Sequence, residues 1–167
     1  MTPPYVPTQT LYDAIVDALD GVTVAGTVGD SPDAVTLREA FIPVQGGPAS
    51  GAGWQDGSYS VDILETNAGY LEESWPAGVP GQLAVRAEIT IRVILRRLGN
   101  RTQQSLLWQA SQAIRSTMYL AFSPSSPATI MAGMAFAYVR STSPKPLSND
   151  WWFQDVSFVA TMFQQQV

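Results

Sequence analysis

Residues 85–118, VRAEITIRVILRRLGNRTQQSLLWQASQAIRSTM, contain the two patterns that decide the fold. Over 85–97 apolar residues alternate with polar and charged ones, which is the two-residue period of a strand with one packed face. Gly99 and Asn100 interrupt that pattern. From Asn100 to about Ala121 apolar residues recur every three or four positions, as in an amphipathic helix. The stretch therefore predicts a long strand that leads directly into a long helix.

Two sets of side chains alternate along the predicted strand. One set is apolar and is expected to face the core: Ala87, Ile89, Ile91, Val93 and Leu95. The other set includes Arg86, Arg92 and Arg96. The planar guanidinium fork suits ion pairs at interfaces, so we expect these arginines to meet acidic groups of an adjoining copy, or to be solvated or paired within the chain.

The rest of the chain adds one helix and five strands. The helix is expected at 8–20, and the strands at 22–24, 34–44, 61–65, 131–143 and 152–164. The order α-β-β-β-β-α-β-β predicts a single α+β domain over 1–167, with a largely antiparallel or mixed sheet and two main helices packed on one face. Two long Gly/Pro-rich loops are expected at 45–59 and 67–84.

Both loops contain large aromatic residues, which linkers without structure usually lack. Trp54 and Tyr59 lie in the first loop, and Tyr70 and Trp75 lie in the second. They are expected either to pack on the domain's own sheet or to anchor an interface. The first helix presents an acidic side formed by Asp13, Asp17 and Asp20, either solvated or in contact with a basic partner.

Charge is distributed unevenly along the sequence. Residues 1–85 contain eleven acids and one base, a balance of −10, and residues 86–167 contain eight bases and three acids, a balance of +5; together they give the net charge of −5. The halves are expected to pair within the fold or between copies. Because the chain is acidic overall, we do not expect sequence-independent binding to nucleic acid.

The composition argues against an enzyme. The chain contains no cysteine and no histidine, which rules out Ser-His-Asp and Cys-His catalysis and Cys/His zinc sites. No GK[ST] motif for phosphate binding occurs. Carboxylate pairs such as Glu72/Glu73 and Asp150/Asp155 occur, but the sequence shows no other residues that would complete a catalytic site with them. No cofactor, metal or catalytic residue is predicted.

Neither a membrane span nor a leader is expected. No segment approaches the ~18–20 apolar residues of a membrane-spanning helix. The N-terminal MTPPYVPTQT has neither a basic start nor an apolar stretch, so no secretory signal is expected.

The order of elements resembles the tail terminator proteins of long-tailed bacteriophages, the lambda gpU-like family. The likeness rests on the short N-terminal helix, the strand-to-helix stretch 87–118, and the closing strand QDVSFVATMF at 154–163. It implies a homo-hexameric ring in the virion, assembled in the host cytoplasm, that stops growth of the tail tube. Its expected partners are further copies of itself, the tail tube protein and the head–tail connector or neck proteins, and DNA has room to pass through the lumen.

Three other functions remain open on the sequence. The nearest is a head–tail joining or neck protein of the same virion. A carbohydrate- or ligand-binding domain could use Trp54, Tyr59 and Trp75 as a stacking platform. A carboxylate-dependent hydrolase has the least support.

Overall fold

The computed structural model describes residues 8–25, 34–40, 42, 54–67, 82–96, 101–122, 135–148 and 150–165. Two α-helices and eight strands follow one another in the order α1-β1-β2-β3-β4-β5-α2-β6-β7-β8. This confirms the predicted α+β class. The elements are α1 Thr8–Leu19, β1 Thr23–Ala25, β2 Ala34–Thr36, β3 Arg38–Glu39, β4 Ser58–Asn67, β5 Gln82–Arg96, α2 Arg101–Ala121, β6 Ala135–Ser141, β7 Lys145–Pro146 and β8 Trp151–Gln165.

The main sheet has six strands in the order β3-β4-β5-β8-β6, and β7 also pairs with β8. All its pairings are antiparallel except that of β3 with β4. In the centre, Ile91 of β5 lies opposite Val61 of β4 on one side and Val156 of β8 on the other. Strands β1 and β2 form a separate antiparallel pair.

Both helices pack on one face of the main sheet, hereafter the helix face. The alternation in β5 places Ala87, Ile89 and Ile91 there, all fully buried. The predicted apolar stripe of α2 packs against them and is also buried: Leu107, Ala110, Ile114 and Met118. Helix α1 adds Leu11, Ile15 and Leu19 to the same core. Among the described residues, the larger of the two apolar cores therefore lies between the helices and the sheet.

A smaller apolar cluster covers one end of the opposite face, hereafter the open face. It forms around Ile94, an apolar residue on the otherwise polar side of β5. Ile42 and Trp151 complete the buried part, and Trp54, Leu147 and Phe153 pack around it. The other end of this face, around Leu64 and Glu88, carries exposed side chains.

Several predicted boundaries are corrected. The strand expected over 34–44 is interrupted at Leu37, whose N–H donates a hydrogen bond to the carbonyl of Val22, so β2 and β3 pair with different strands. The strand expected at 61–65 extends over Ser58–Asn67, so Tyr59 belongs to a strand and not to a loop. Between the strands expected at 131–143 and 152–164 lies the short strand β7, which was not predicted. The loop expected at 67–84 is shorter than predicted, because Asn67 ends β4 and residues 82–84 begin β5. Residues 45–53 and 68–81 of the two expected loops lie outside the described residues.

Candidate assembly surfaces

Tyr59 packs within its own domain. Its side chain is fully buried in the core under the helices, and its hydroxyl donates a long hydrogen bond of 3.5 Å to the carbonyl oxygen of Val16. Burial raises the pKa of Tyr59 above its ordinary value, and the nearby carboxylates of Asp20, Glu39 and Asp17 raise it further. Of the two roles that the sequence left open, Tyr59 takes the structural one, and its ring has no surface for a partner or a sugar to contact.

Trp54 also packs on its own sheet. Its ring meets Trp151 edge to face, with ring centroids 5.8 Å apart, in the cluster at one end of the open face. It remains half-buried. Tyr70 and Trp75, the other two predicted anchors, lie outside the described residues.

The three arginines predicted as interface residues differ in their surroundings. Arg92 lies directly opposite Asp155 and binds it through two atom pairs, Nε to Oδ1 at 2.7 Å and one terminal nitrogen to Oδ2 at 2.8 Å. This pair is largely buried, so Arg92 follows the intramolecular alternative. Arg86 and Arg96 are exposed on the same face of β5. Their contact with a neighbouring copy stays a prediction.

Acidic side chains gather at one side of the sheet. Helix α1 lies beside β4, and Asp20 accepts a hydrogen bond from the backbone N–H of Glu39 in β3, the strand at this edge. The same side also carries one basic residue in the described part of the chain, Arg38. We call this side the β4 flank; its six described acids are Asp13, Asp17, Asp20, Glu39, Asp62 and Glu65.

Basic side chains gather at the opposite side, hereafter the β6 flank, which comprises Arg115, Arg140 and Lys145. Arg140 lies on β6 and Lys145 on β7, and all three side chains are exposed. The guanidinium carbon of Arg115, on α2, lies 4.0 Å from the ring centroid of Tyr138 in β6. This contact holds the cation at the edge of the sheet. Asp150 is the acid nearest in sequence to this group.

Exposed aromatic and aliphatic side chains accompany the cations of the β6 flank. Trp108 and Tyr119 are 51% and 43% exposed, and they lie on the same side of α2 as Arg115. Tyr119 also meets Phe136 of β6 edge to face, with centroids 6.5 Å apart. Val139 on β6 is 50% exposed. Trp108, Gln112, Arg115 and Tyr119 recur at helical spacing and so form one stripe along α2.

The open face also has a shallow depression of about 250 Å³ over β5, β8 and β6. Arg86 and Glu88 line one side of it, with Arg86 Nε 4.0 Å from a Glu88 carboxylate oxygen, and Arg140 lines the other side. Both charges and aliphatic carbon are present, so the lining does not select one ligand chemistry.

Within the ranges that the structure describes, no three potential metal ligands cluster together. The described helices also lack the combination of length and apolar character that a bilayer crossing requires. The sequence matches no protein-family model and no curated protein.

Proposed function

We propose that this chain is a structural subunit that joins copies of itself head to tail into a ring, in the manner of a phage tail terminator. The observation that carries the proposal is the opposite charge of the two flanks. The β4 flank presents six acids and one base among its described residues, and the β6 flank presents three bases, with one acid, Asp150, in the adjoining turn between β7 and β8. One side of a subunit is therefore complementary to the other side of the next.

The position of the flanks supports a head-to-tail contact. They lie at opposite ends of the strand order β3-β4-β5-β8-β6, separated by the width of the sheet. A contact between two different surfaces of identical subunits is heterologous, and it closes into a ring when the repeated rotation completes a full turn without a shift along the axis. A symmetric dimer would instead place like charges of one flank against each other, which is unfavourable.

Charge on the flanks would set orientation and register more than affinity. An exposed ion pair contributes about 0.2–1 kcal/mol, because solvent screens it and two long side chains lose freedom. Arg115 is already held over Tyr138, which reduces the entropy that it loses on binding. Trp108 and Tyr119, which are partly exposed beside it, would provide apolar area.

The tail-terminator role rests on the resemblance described above together with this geometry. In that role the ring would cap the tail tube, contact the head connector or neck proteins, and lie in the tail or neck of the virion. Assembly would take place in the host cytoplasm, with DNA passing through the lumen.

Head-to-tail assembly is tested by reversing two cations of the β6 flank, Arg115→Glu with Arg140→Glu. The matched control is Arg86→Glu with Arg96→Glu, which makes the same charge change on β5, a strand inside the sheet that pairs with β4 on one side and β8 on the other. In sedimentation velocity we expect an oligomer for the parent chain and the control. We expect a monomer for the flank variant, because like charges that face each other across a contact are far more unfavourable than one exposed ion pair is favourable. If the control dissociates and the flank variant stays assembled, the contact is made through β5 and the flanks do not carry it.

The terminator and neck roles are separated by the partner that the ring binds. The purified ring is added to the polymerising tail tube protein encoded in the same genome, and tube lengths are measured by electron microscopy. We expect rings at tube ends and tubes that stop growing. Binding to the head connector with no effect on tube growth would assign the neck role instead.

A further inference from the structure

We propose that the β4 edge of one copy pairs with the β6 edge of the next, so that the main sheets of neighbouring subunits form one continuous antiparallel sheet. This inference rests on the proposed head-to-tail assembly and specifies its contact. The partner is therefore a second copy of this chain, and main-chain hydrogen bonds hold it.

Two edges of suitable length are available for such pairing. Strand β3 pairs only with Ser58 and Tyr59, so the outer edge of β4 from Ser60 to Asn67 has no strand beside it among the described residues. Strand β6, Ala135–Ser141, has β8 on one side and no described strand on the other. Unpaired edges of this kind present rows of N–H and C=O groups that a further strand can bind.

The strand directions fit the same assembly. Strands β4, β5, β8 and β6 are joined by three successive antiparallel pairings, so β4 and β6 run in opposite directions. Copies related head to tail keep the same orientation relative to the ring. The β6 edge of one copy therefore meets the β4 edge of the next in antiparallel orientation, the more stable type of pairing.

On the open face, residues that lie directly opposite each other in successive strands form rows across the sheet. These rows indicate the register in which β6 of one copy would pair with β4 of the next. One row contains Asp62, Thr90, Ser157 and Arg140. The next row contains Leu64, Glu88, Val159 and Ala137. If the rows continue into the next copy, Arg140 lies beside the neighbour's Asp62, and Ala137 lies beside the neighbour's Leu64.

Two local features agree with this register. The pairing of β6 shifts between Tyr138 and Arg140, and this bulge brings Arg140 to the same face as Ala137, where strict alternation would place it on the opposite face. Leu64 is 56% exposed in the isolated subunit, and Ala137 is small enough to leave room for its side chain. Directly opposite residues in antiparallel strands have Cβ atoms about 4.5–5.5 Å apart, close enough for both contacts.

The chain has no cysteine, which allows the pairing to be tested by disulfide cross-linking. In the variant Leu64→Cys with Ala137→Cys, the proposed register gives the two positions the spacing that a disulfide between neighbouring copies requires. After mild oxidation of the assembled protein, we expect a non-reduced gel to show a ladder at multiples of 18.0 kDa that collapses on reduction. The matched control, Leu64→Cys with Ser141→Cys, uses the same two strands out of register and should remain mostly monomeric.

The possible outcomes separate this inference from the assembly itself. An oligomeric parent whose Leu64→Cys/Ala137→Cys variant assembles but does not cross-link overturns the continuous sheet and leaves the ring standing. Disulfide-linked dimers from Leu64→Cys alone also overturn it, because two β4 edges would then face each other. A parent chain that sediments as a monomer at all concentrations overturns the proposed function, and the continuous sheet with it.

Discussion

Arg92 on β5 and Asp155 on β8 lie directly opposite each other and form a two-point ion pair at 2.7 and 2.8 Å on the open face of the sheet. Their side chains are only 10% and 15% exposed. The guanidinium carbon of Arg92 also lies 4.1 Å from the ring centroid of Phe153. The pair thus joins the two longest strands of the sheet next to the smaller apolar cluster.

Removing one member of this pair should be costly. Asp155→Ala leaves the Arg92 charge largely buried without its counter-ion, and we expect a loss of about 3–5 kcal/mol in the free energy of unfolding. Urea denaturation followed by tryptophan fluorescence measures it. The double variant Arg92→Met with Asp155→Leu removes both charges and should recover most of the loss. A cost below about 0.5 kcal/mol for Asp155→Ala would show that the pair is solvated in the folded protein.

The buried Tyr59 hydroxyl should make the protein less stable in alkali. The unfolded chain releases a tyrosine proton near pH 10, whereas burial and neighbouring carboxylates raise the pKa of Tyr59 in the folded state. Above about pH 10 the unfolded state therefore binds fewer protons than the folded state. The contribution of Tyr59 to the free energy of unfolding is therefore fully present below about pH 10. Above that pH it decreases by about 1.4 kcal/mol per pH unit.

The matched variant for this prediction is Tyr59→Phe, which loses only the long hydrogen bond to Val16. Urea denaturation between pH 8 and 11 should give a shallower decline for the variant than for the parent chain. Equal slopes for the two proteins would mean that Tyr59 ionises in the folded state as readily as in the unfolded one.

Gly57 and Gly21 have similar backbone conformations, but an added side chain would clash with its neighbours only at Gly57. Both have positive φ, 90° and 84°. A Cβ at position 57 would lie 2.4 Å from Val35 Cγ1 and 2.6 Å from the carbonyl oxygen of Thr36, whereas one at position 21 would meet nothing within 4 Å.

We therefore expect Gly57→Ala to cost more than Gly21→Ala. The positive φ costs roughly 1–2 kcal/mol in both variants, and overpacking adds about 1–3 kcal/mol at position 57. Midpoints of thermal unfolding, measured by circular dichroism, rank the two. Equal midpoints for the two variants would show that β2 moves away from the turn at no cost.

The periodic parts of the fold could be read from the sequence because burial imposes a period on each element. Alternation in β5 identified both its faces, and the helical spacing of Leu107, Ala110 and Ile114 identified the buried side of α2. The interruption at Leu37 could not be read, because it depends on a hydrogen bond to Val22 in another strand. Boundaries of β4 depended in the same way on pairing with β5.

The exposed surfaces of the domain were harder to predict than its helices and strands. Arg86 and Arg92 occupy equivalent positions in the alternation, and only the register of β8 places Asp155 opposite one of them. The bulge that turns Arg140 toward the open face is also a property of strand pairing. The sequence did predict an acidic and a basic half, but only the strand order separates β4 from β6 across the sheet.

The most direct test of head-to-tail assembly is charge exchange between the flanks, measured by sedimentation velocity. One variant reverses two acids of the β4 flank, Asp62→Arg with Glu65→Arg, and the other reverses two bases of the β6 flank, Arg115→Glu with Arg140→Glu. Each variant alone places like charges opposite each other at the exchanged positions of every contact and should sediment as a monomer. An equimolar mixture restores opposite charges at those positions in every contact between alternating subunits and should sediment as an oligomer. A mixture that stays monomeric, or single variants that assemble like the parent chain, would contradict the account.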